Sequence, residues 1–147
     1  MNFEIVKMNK SHAPAVAELE RECFASPWTE DQLTDELCKD YARFFVALSD
    51  GKVVGYIGAF SVVGEVSVTN VAVTEKCRKC GAASALINEL EKASRAENAE
   101  FITLEVRVSN TAAIKLYEKC GFSQSGLRKG FYSKPVEDAI LMKKDLK

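Results

Sequence analysis

The chain has 147 residues, 47% hydrophobic and 28% charged, with a formal net charge of −1 and a pI near 5.9. This length fits one domain with a substantial core, no apolar run approaches the roughly 18 to 20 residues of a membrane helix, and the near-zero charge argues against a nucleic-acid binder. The first ten residues lack the apolar core of a signal peptide, and five cysteines, an odd number, predict reduced thiols in a cytoplasmic protein.

Taken in order, "FEIVKM" alternates apolar and polar residues and predicts a first strand. Ser11 is placed to cap a helix whose positions Val16, Leu19 and Cys23 follow an apolar stripe. In "SPWTEDQL", Pro27 breaks that helix, and Thr29 with Gln32 forms a capping box for a second, ending near Leu37. "RFFVAL" and "KVVGYIGAF" predict strands joined at Asp50-Gly51, a strong hairpin signal. "EVSVTNVAV" predicts another strand. A long amphipathic helix over about 82–97 follows, with Leu86, Leu90 and Ala93 on one side. "FITLEV" predicts a strand buried inside the sheet. Ser109 or Asn110 caps the helix "TAAIKLYEKC", which Gly121 ends. Strands around Ser123–Tyr132 and Ala139–Lys143 close the chain. The order β α α β β β α β α β β predicts a mixed α/β layout in one domain over residues 1–147.

The segment "KCRKCG" (76–81) holds two cysteines three positions apart. Zinc needs four ligands, commonly two such pairs, and Cys23, Cys38, Cys120 and His12 offer no second pair. A thioredoxin-type site would place the pair after an early strand in a βαβ unit. No metal is therefore expected. The same segment is also a basic turn between a strand and a helix N-terminus, where unpaired N–H groups and the helix dipole favour a phosphate. Arg78 and Lys79 add charge, Gly81 permits close backbone approach, and Ala82 and Ala83 keep the rim low.

"VAVTEKCRKCGAASALI" resembles the acetyl-CoA loop of the GNAT acetyltransferases, here Arg78-x-x-Gly81-x-Ala83 after a Val-x-Val strand. "SNTAAIKLYEKCGF" resembles their second signature, Asn-x-x-Ala-x-x-x-Tyr-x-x-x-Gly-Phe. With "SPWTEDQL" and "EDAILM", the chain looks most like the RimI-type branch, the ribosomal-protein-alanine N-acetyltransferases. The resemblance implies a GNAT fold: a mixed sheet of about seven strands, splayed in the middle, with about four helices. It implies acetyl-CoA as cosubstrate, its pantetheine arm on the backbone of Val71, Ala72 and Val73. The pyrophosphate would lie over Arg78, Lys79, Cys80, Gly81, Ala82, Ala83 and Ser84. Cys80 departs from the basic residue common in relatives, and Ala83 replaces Gly.

The same resemblance makes Glu105 the general base, acting directly or through a water. An α-amine with a pKa near about 7.7–8 needs little driving force near neutrality. It makes Tyr117 the acid that protonates the departing thiolate, Asn110 a cofactor contact as well as a cap, and Ala113 a small packing residue. Pro27, Trp28 and Tyr132 would wall the acceptor groove, although aromatic residues there also suit a core. The implied reaction is direct acetyl transfer to a protein N-terminal amine, the partner being the basic tail of a small-subunit ribosomal protein that begins with Ala. Monomer or weak homodimer is the expected state. Two rivals remain: a GNAT acting on a small amine such as a polyamine or aminoglycoside, and a non-catalytic acyl-CoA sensor. Residues 1–40 carry nine acidic and four basic side chains, and residues 74–147 carry ten and fourteen. That division reads either as ordinary solvation or as an acidic entrance for a basic partner above a basic cofactor floor.

Overall fold

The computed structural model describes residues 2–147. Its strands are β1 (Glu4–Lys7), β2 (Phe45–Ser49), β3 (Lys52–Val62), β4 (Glu65–Val73), β5 (Phe101–Arg107), β6 (Ser123–Tyr132) and β7 (Glu137–Asp145). Its helices are α1 (Ala13–Cys23), α2 (Glu30–Leu37), α3 (Ala82–Ala96) and α4 (Thr111–Lys119). The chain order is the expected one, and the seven strands form a single sheet in the order β1-β2-β3-β4-β5-β7-β6. Neighbours are antiparallel except β4 and β5, which run parallel because α3 carries the chain across between them.

Local chemistry accounts for many of these boundaries. Asp50 and Gly51 both have positive φ, 51° and 77°, which makes the tight turn between β2 and β3. The Thr29 hydroxyl accepts from the Gln32 N–H at 3.2 Å, and the Gln32 side chain accepts from the Thr29 N–H at 2.9 Å, so the capping box starts α2. Asn110, rather than Ser109, caps α4 by accepting from the Ala113 N–H at 3.2 Å, and Gly121 follows its end at φ 96°.

Other expectations are corrected. Ser11 does not cap α1. Asn9 accepts from the Ser11 N–H at 2.9 Å and holds a 3₁₀ turn over Lys10–His12. Helix α1 starts only after that turn, with Pro14 in its opening residues, where a missing N–H is harmless. Strand β7 extends beyond Ala139–Lys143 at both ends: β5 pairs with it as far as Phe101 opposite Asp145, and β6 pairs with it at Tyr132 opposite Glu137. Strand β5 is not buried on both faces: Leu104 and Val106 are buried, and Glu105 between them is exposed.

Helices cover both faces of the sheet. On one, Leu86, Ile87 and Leu90 of α3 and Tyr117 of α4 pack against Phe45, Ala47, Ile57 and Ile102. On the other, Val16 and Leu19 of α1 and Leu33 of α2 pack against Phe44, Val46, Tyr56 and Ala72. Consecutive residues from Phe44 to Ala47 alternate between the two clusters, as the pleat requires. Each fully buried Leu or Ile contributes about 1.5–3 kcal/mol.

The sheet opens in the middle. Strand β4 stays paired with β3 as far as Val73 opposite Gly55. Its parallel ladder with β5 ends where Ser67 faces Thr103. A bulge helps to turn β4: Gly58 faces Asn70 and Ala59 faces Val68, leaving Thr69 as the extra residue. Helix α1 is fastened to the separated end of β4. Glu22 accepts from the Glu75 N–H at 2.8 Å and the Thr74 hydroxyl at 3.3 Å, and the Cys23 thiol lies 3.7 Å from the Val73 carbonyl.

Candidate active site

Where β4 and β5 part, a cavity of about 460 Å³ is lined by Trp28, Val71, Glu105, Asn110, Tyr117 and Tyr132, together with residues the sequence did not point to. The α1–α2 connection supplies Trp28, β4 supplies Val71, β5 supplies Glu105, α4 and its cap supply Tyr117 and Asn110, and the end of β6 supplies Tyr132. Other predicted residues lie elsewhere. Pro27 is half-buried beside Trp28 but does not line the cavity. Ala113 packs on the core of its face and gives its N–H to Asn110. Ala72 and Val73 are buried, and the Val73 carbonyl already accepts from Arg78 Nε at 3.2 Å.

The Tyr117 ring packs edge-on against Phe122, with centroids 6.1 Å apart. Burial, reinforced by the nearby Tyr132 and Cys120, pushes its pKa up to about 12. Tyr132 is also pushed up, by burial first and then by the charge of Glu105, against the opposing pull of Arg107. Arg107 holds the β6–β7 connection around Tyr132. One guanidinium nitrogen donates to the Pro135 carbonyl at 3.0 Å and to Glu137 at 3.1 Å, and another donates to the Ser133 carbonyl at 3.2 Å. Glu137 in turn accepts from the Ser109 N–H at 2.7 Å, and the Ser109 side chain, then this N–H, then Arg107 hold its carboxyl below the usual range.

The loop from Arg78 to Ser84 lies beyond the cavity, at the end of β4. Gly81 stands at φ 90° immediately before α3 and provides no side-chain cap. The N–H groups of the first turn of α3 therefore have no intrahelical acceptors and stand at the positive end of the helix dipole. Lys79 and Cys80 are exposed. Arg78 does not reach over the loop. Its Nε donates to the Val73 carbonyl at 3.2 Å, and Nη2 lies 3.6 Å from the Cys23 sulfur. The Ser84 side chain hydrogen-bonds Cys120, opposing the upward shift that burial gives that thiol. Cys77 is buried while Cys80 is exposed, and no three His, Cys, Asp or Glu residues converge on a metal position among the described residues.

One wall of the cavity holds a polar group that pattern reading missed, built on Glu20 and Asn70. Glu20 is fully buried. It accepts from the Trp28 N–H at 2.9 Å, the Tyr56 hydroxyl at 2.5 Å and Asn70 Nδ2 at 3.0 Å. Burial raises its pKa, and the three donors only partly offset that. The signal was present: Glu20 stands on the Val16, Leu19, Cys23 stripe, four residues after Val16, where a carboxylate has no reason to be unless it is paired.

Comparison with known proteins agrees with this geometry. The model of the Acetyltransferase (GNAT) family matches residues 13–122. A [ribosomal protein bS18]-alanine N-acetyltransferase of Escherichia coli K12 is 30% identical over 140 residues, 94% of each chain. An N-alpha-acetyltransferase of Sulfurisphaera tokodaii is 42% identical over 121 residues, 73% of this chain and 72% of its own. The crystal structure of the ribosomal-protein-S18-alanine N-acetyltransferase from Escherichia coli matches at a TM-score of 0.91 and 28% identity, covering 99% of this chain and 95% of that one. A split sheet with a helix N-terminus at its mouth, matched over most of its length by that family, places the chain in the GNAT acetyltransferases, as an N-acetyltransferase that uses acetyl-CoA.

Proposed function

We propose that the enzyme acetylates the N-terminal α-amine of a protein, specifically the N-terminal alanine of a small-subunit ribosomal protein, whose tail enters between Trp28 and Tyr132. The observation that carries this reading is that Glu105 and Tyr117, from different elements, line one cavity at the point where β4 and β5 separate. The ribosomal acceptor is supported by the relatives named above.

Acetyl-CoA, when bound, supplies an activated thioester acyl group. Its pantetheine arm is met by the backbone of Val71, Ala72 and Val73. The N–H groups of Gly81, Ala82, Ala83 and Ser84, together with Lys79, receive the pyrophosphate. Arg78, engaged with the Val73 carbonyl, serves mainly to brace the strand end. Glu105 takes a proton from the acceptor α-ammonium, directly or through a water, and the neutral amine attacks the thioester carbon without a covalent enzyme intermediate; the C–S bond breaks, CoA leaves as its thiolate, and the second proton lost by the nitrogen passes to that thiolate or to solvent.

Tyr117 retains its proton at neutral pH, since its pKa is pushed up to about 12. An alkyl thiol ionises near about 8.5, so complete transfer from Tyr117 to the departing sulfur runs uphill. Its contribution is a hydrogen bond that strengthens as charge develops on sulfur, an interaction made mainly in the transition state.

A panel of N-terminal peptides incubated with acetyl-CoA and analysed by liquid chromatography with mass spectrometry tests the reading. Acetylation at the α-nitrogen of a basic peptide starting with Ala is expected. Turnover only of a polyamine or aminoglycoside, or tight CoA binding with no turnover of any amine, overturns it.

A further inference from the structure

We propose that Asn70 binds the acceptor amine through its side-chain carbonyl, and that the buried carboxylate of Glu20 is the positioning residue that turns this carbonyl toward the cleft. The inference rests on the α-amine reading above and adds an acceptor contact to it.

The orientation of the Asn70 amide follows from its neighbours. The Tyr56 hydroxyl donates its proton to Glu20 Oε2 at 2.5 Å. Both Oε2 and the Tyr56 oxygen therefore offer Asn70 only lone pairs. The amide answers with its NH2 group, which donates to Oε2 at 3.0 Å and to the Tyr56 oxygen at 3.1 Å. With Nδ2 held on that side, Oδ1 is the polar atom Asn70 presents to the cavity it lines. Glu20 borders the same cavity but has no exposed surface, and both its oxygens are already engaged, Oε2 by Tyr56 and Asn70 and Oε1 by the Trp28 N–H at 2.9 Å.

A neutral carbonyl suits an amine that must lose a proton. An α-ammonium has three N–H donors and the neutral amine keeps two, so Asn70 Oδ1 can hold both forms while Glu105 takes the proton. A second ionised carboxylate in contact would favour the ammonium and oppose its deprotonation. The same Glu20 side chain fixes the main chain at Trp28, so one buried group sets both the amine contact and one wall of the groove.

Glu20→Gln isolates the orientation. A glutamine keeps an oxygen for the Trp28 N–H but puts an NH2 donor where Oε2 was. The Asn70 amide must then turn its carbonyl inward and present NH2 to the incoming ammonium. The expected result with an Ala-starting peptide is a rise of about tenfold or more in peptide KM, with the acetyl-CoA KM within about twofold of wild type. Asn70→Ala should move the same constants in the same direction, and it decides alone if Glu20→Gln does not fold. A peptide KM unchanged in folded Asn70→Ala overturns the proposal, as does a parallel rise of both KM values. A wild-type enzyme that acetylates no α-amine at all overturns the acceptor reading and this inference together.

Discussion

The Arg107 guanidinium lies 4.4 Å above the ring centroid of Tyr132. This contact joins a cation on β5 to an aromatic residue that lines the cleft. Arg107 also holds the carbonyls of Ser133 and Pro135 and pairs with Glu137. The position of Tyr132 is therefore set by a planar fork that lysine cannot reproduce. Arg107→Ala should raise the acceptor KM several-fold, leave acetyl-CoA binding unchanged and expose the 133–136 connection to protease. Limited proteolysis with mass spectrometry, beside steady-state kinetics, checks this. Wild-type cleavage and wild-type peptide KM in the variant would remove Arg107 as the brace.

Tyr117 keeps its proton up to about pH 12, so it donates at every pH at which the enzyme would be assayed. Tyr117→Phe removes the hydroxyl and leaves the ring packing against Phe122. A fall of about a hundredfold in kcat is expected, the scale of losing one donor aimed at transition-state charge. Acetyl-CoA affinity, measured by calorimetry, should change little. Unchanged turnover would exclude Tyr117 from the chemistry.

Glu20 makes a prediction about stability and pH. Its folded pKa is raised above the unfolded carboxylate value of about 4.3. Between the unfolded and folded values the native state binds more protons, so this group lowers stability as pH rises through that window. The penalty is absent below the window and complete above it. Glu91 and Glu97, held below the usual range by Lys144 with Arg95 and by Arg43 respectively, act in the opposite sense: their contribution is lost as pH falls. Glu20→Gln removes only the first effect. Denaturant unfolding from about pH 4 to 7 should then show stability rising more steeply with pH in the variant than in wild type. Parallel curves would mean that Glu20 titrates normally.

Features set by residues a few positions apart were legible in the sequence. The Thr29–Gln32 box, the Asp50-Gly51 turn and the Asn110 cap each involve groups within one turn of chain, and each formed as expected. Ser11 misled because Asn9, two residues earlier, competes for the same backbone donors and wins. The split between β4 and β5 left no residue signature, since it is a matter of where a parallel ladder stops and of a bulge at Thr69. Glu20, Tyr56 and Asn70 were hidden for a related reason. Their contacts span 36 and 50 positions, and only the misplaced charge on the apolar stripe of α1 hinted at them. The contact of Arg78 with the Val73 carbonyl was not legible either, because nothing local says that this carbonyl needs a donor.

Gly81 separates backbone conformation from steric space in the loop before α3, the proposed cofactor loop. It sits at φ 90°, and a Cβ built there would meet nothing within 4 Å. Gly81→Ala therefore causes no clash, and its whole effect is the left-handed backbone that an L side chain resists, about 1–2 kcal/mol. Relief of that strain turns the N–H groups entering α3 away from a common point. Acetyl-CoA affinity should fall about five- to tenfold, with peptide KM nearly constant at saturating acetyl-CoA and a modest drop in Tm. Calorimetric titration with CoA and a thermal melt of the same sample read both effects. If stability falls while CoA affinity holds, the first turn of α3 is not where the phosphates sit, and the basic side chains of Arg78 and Lys79 would have to carry that binding.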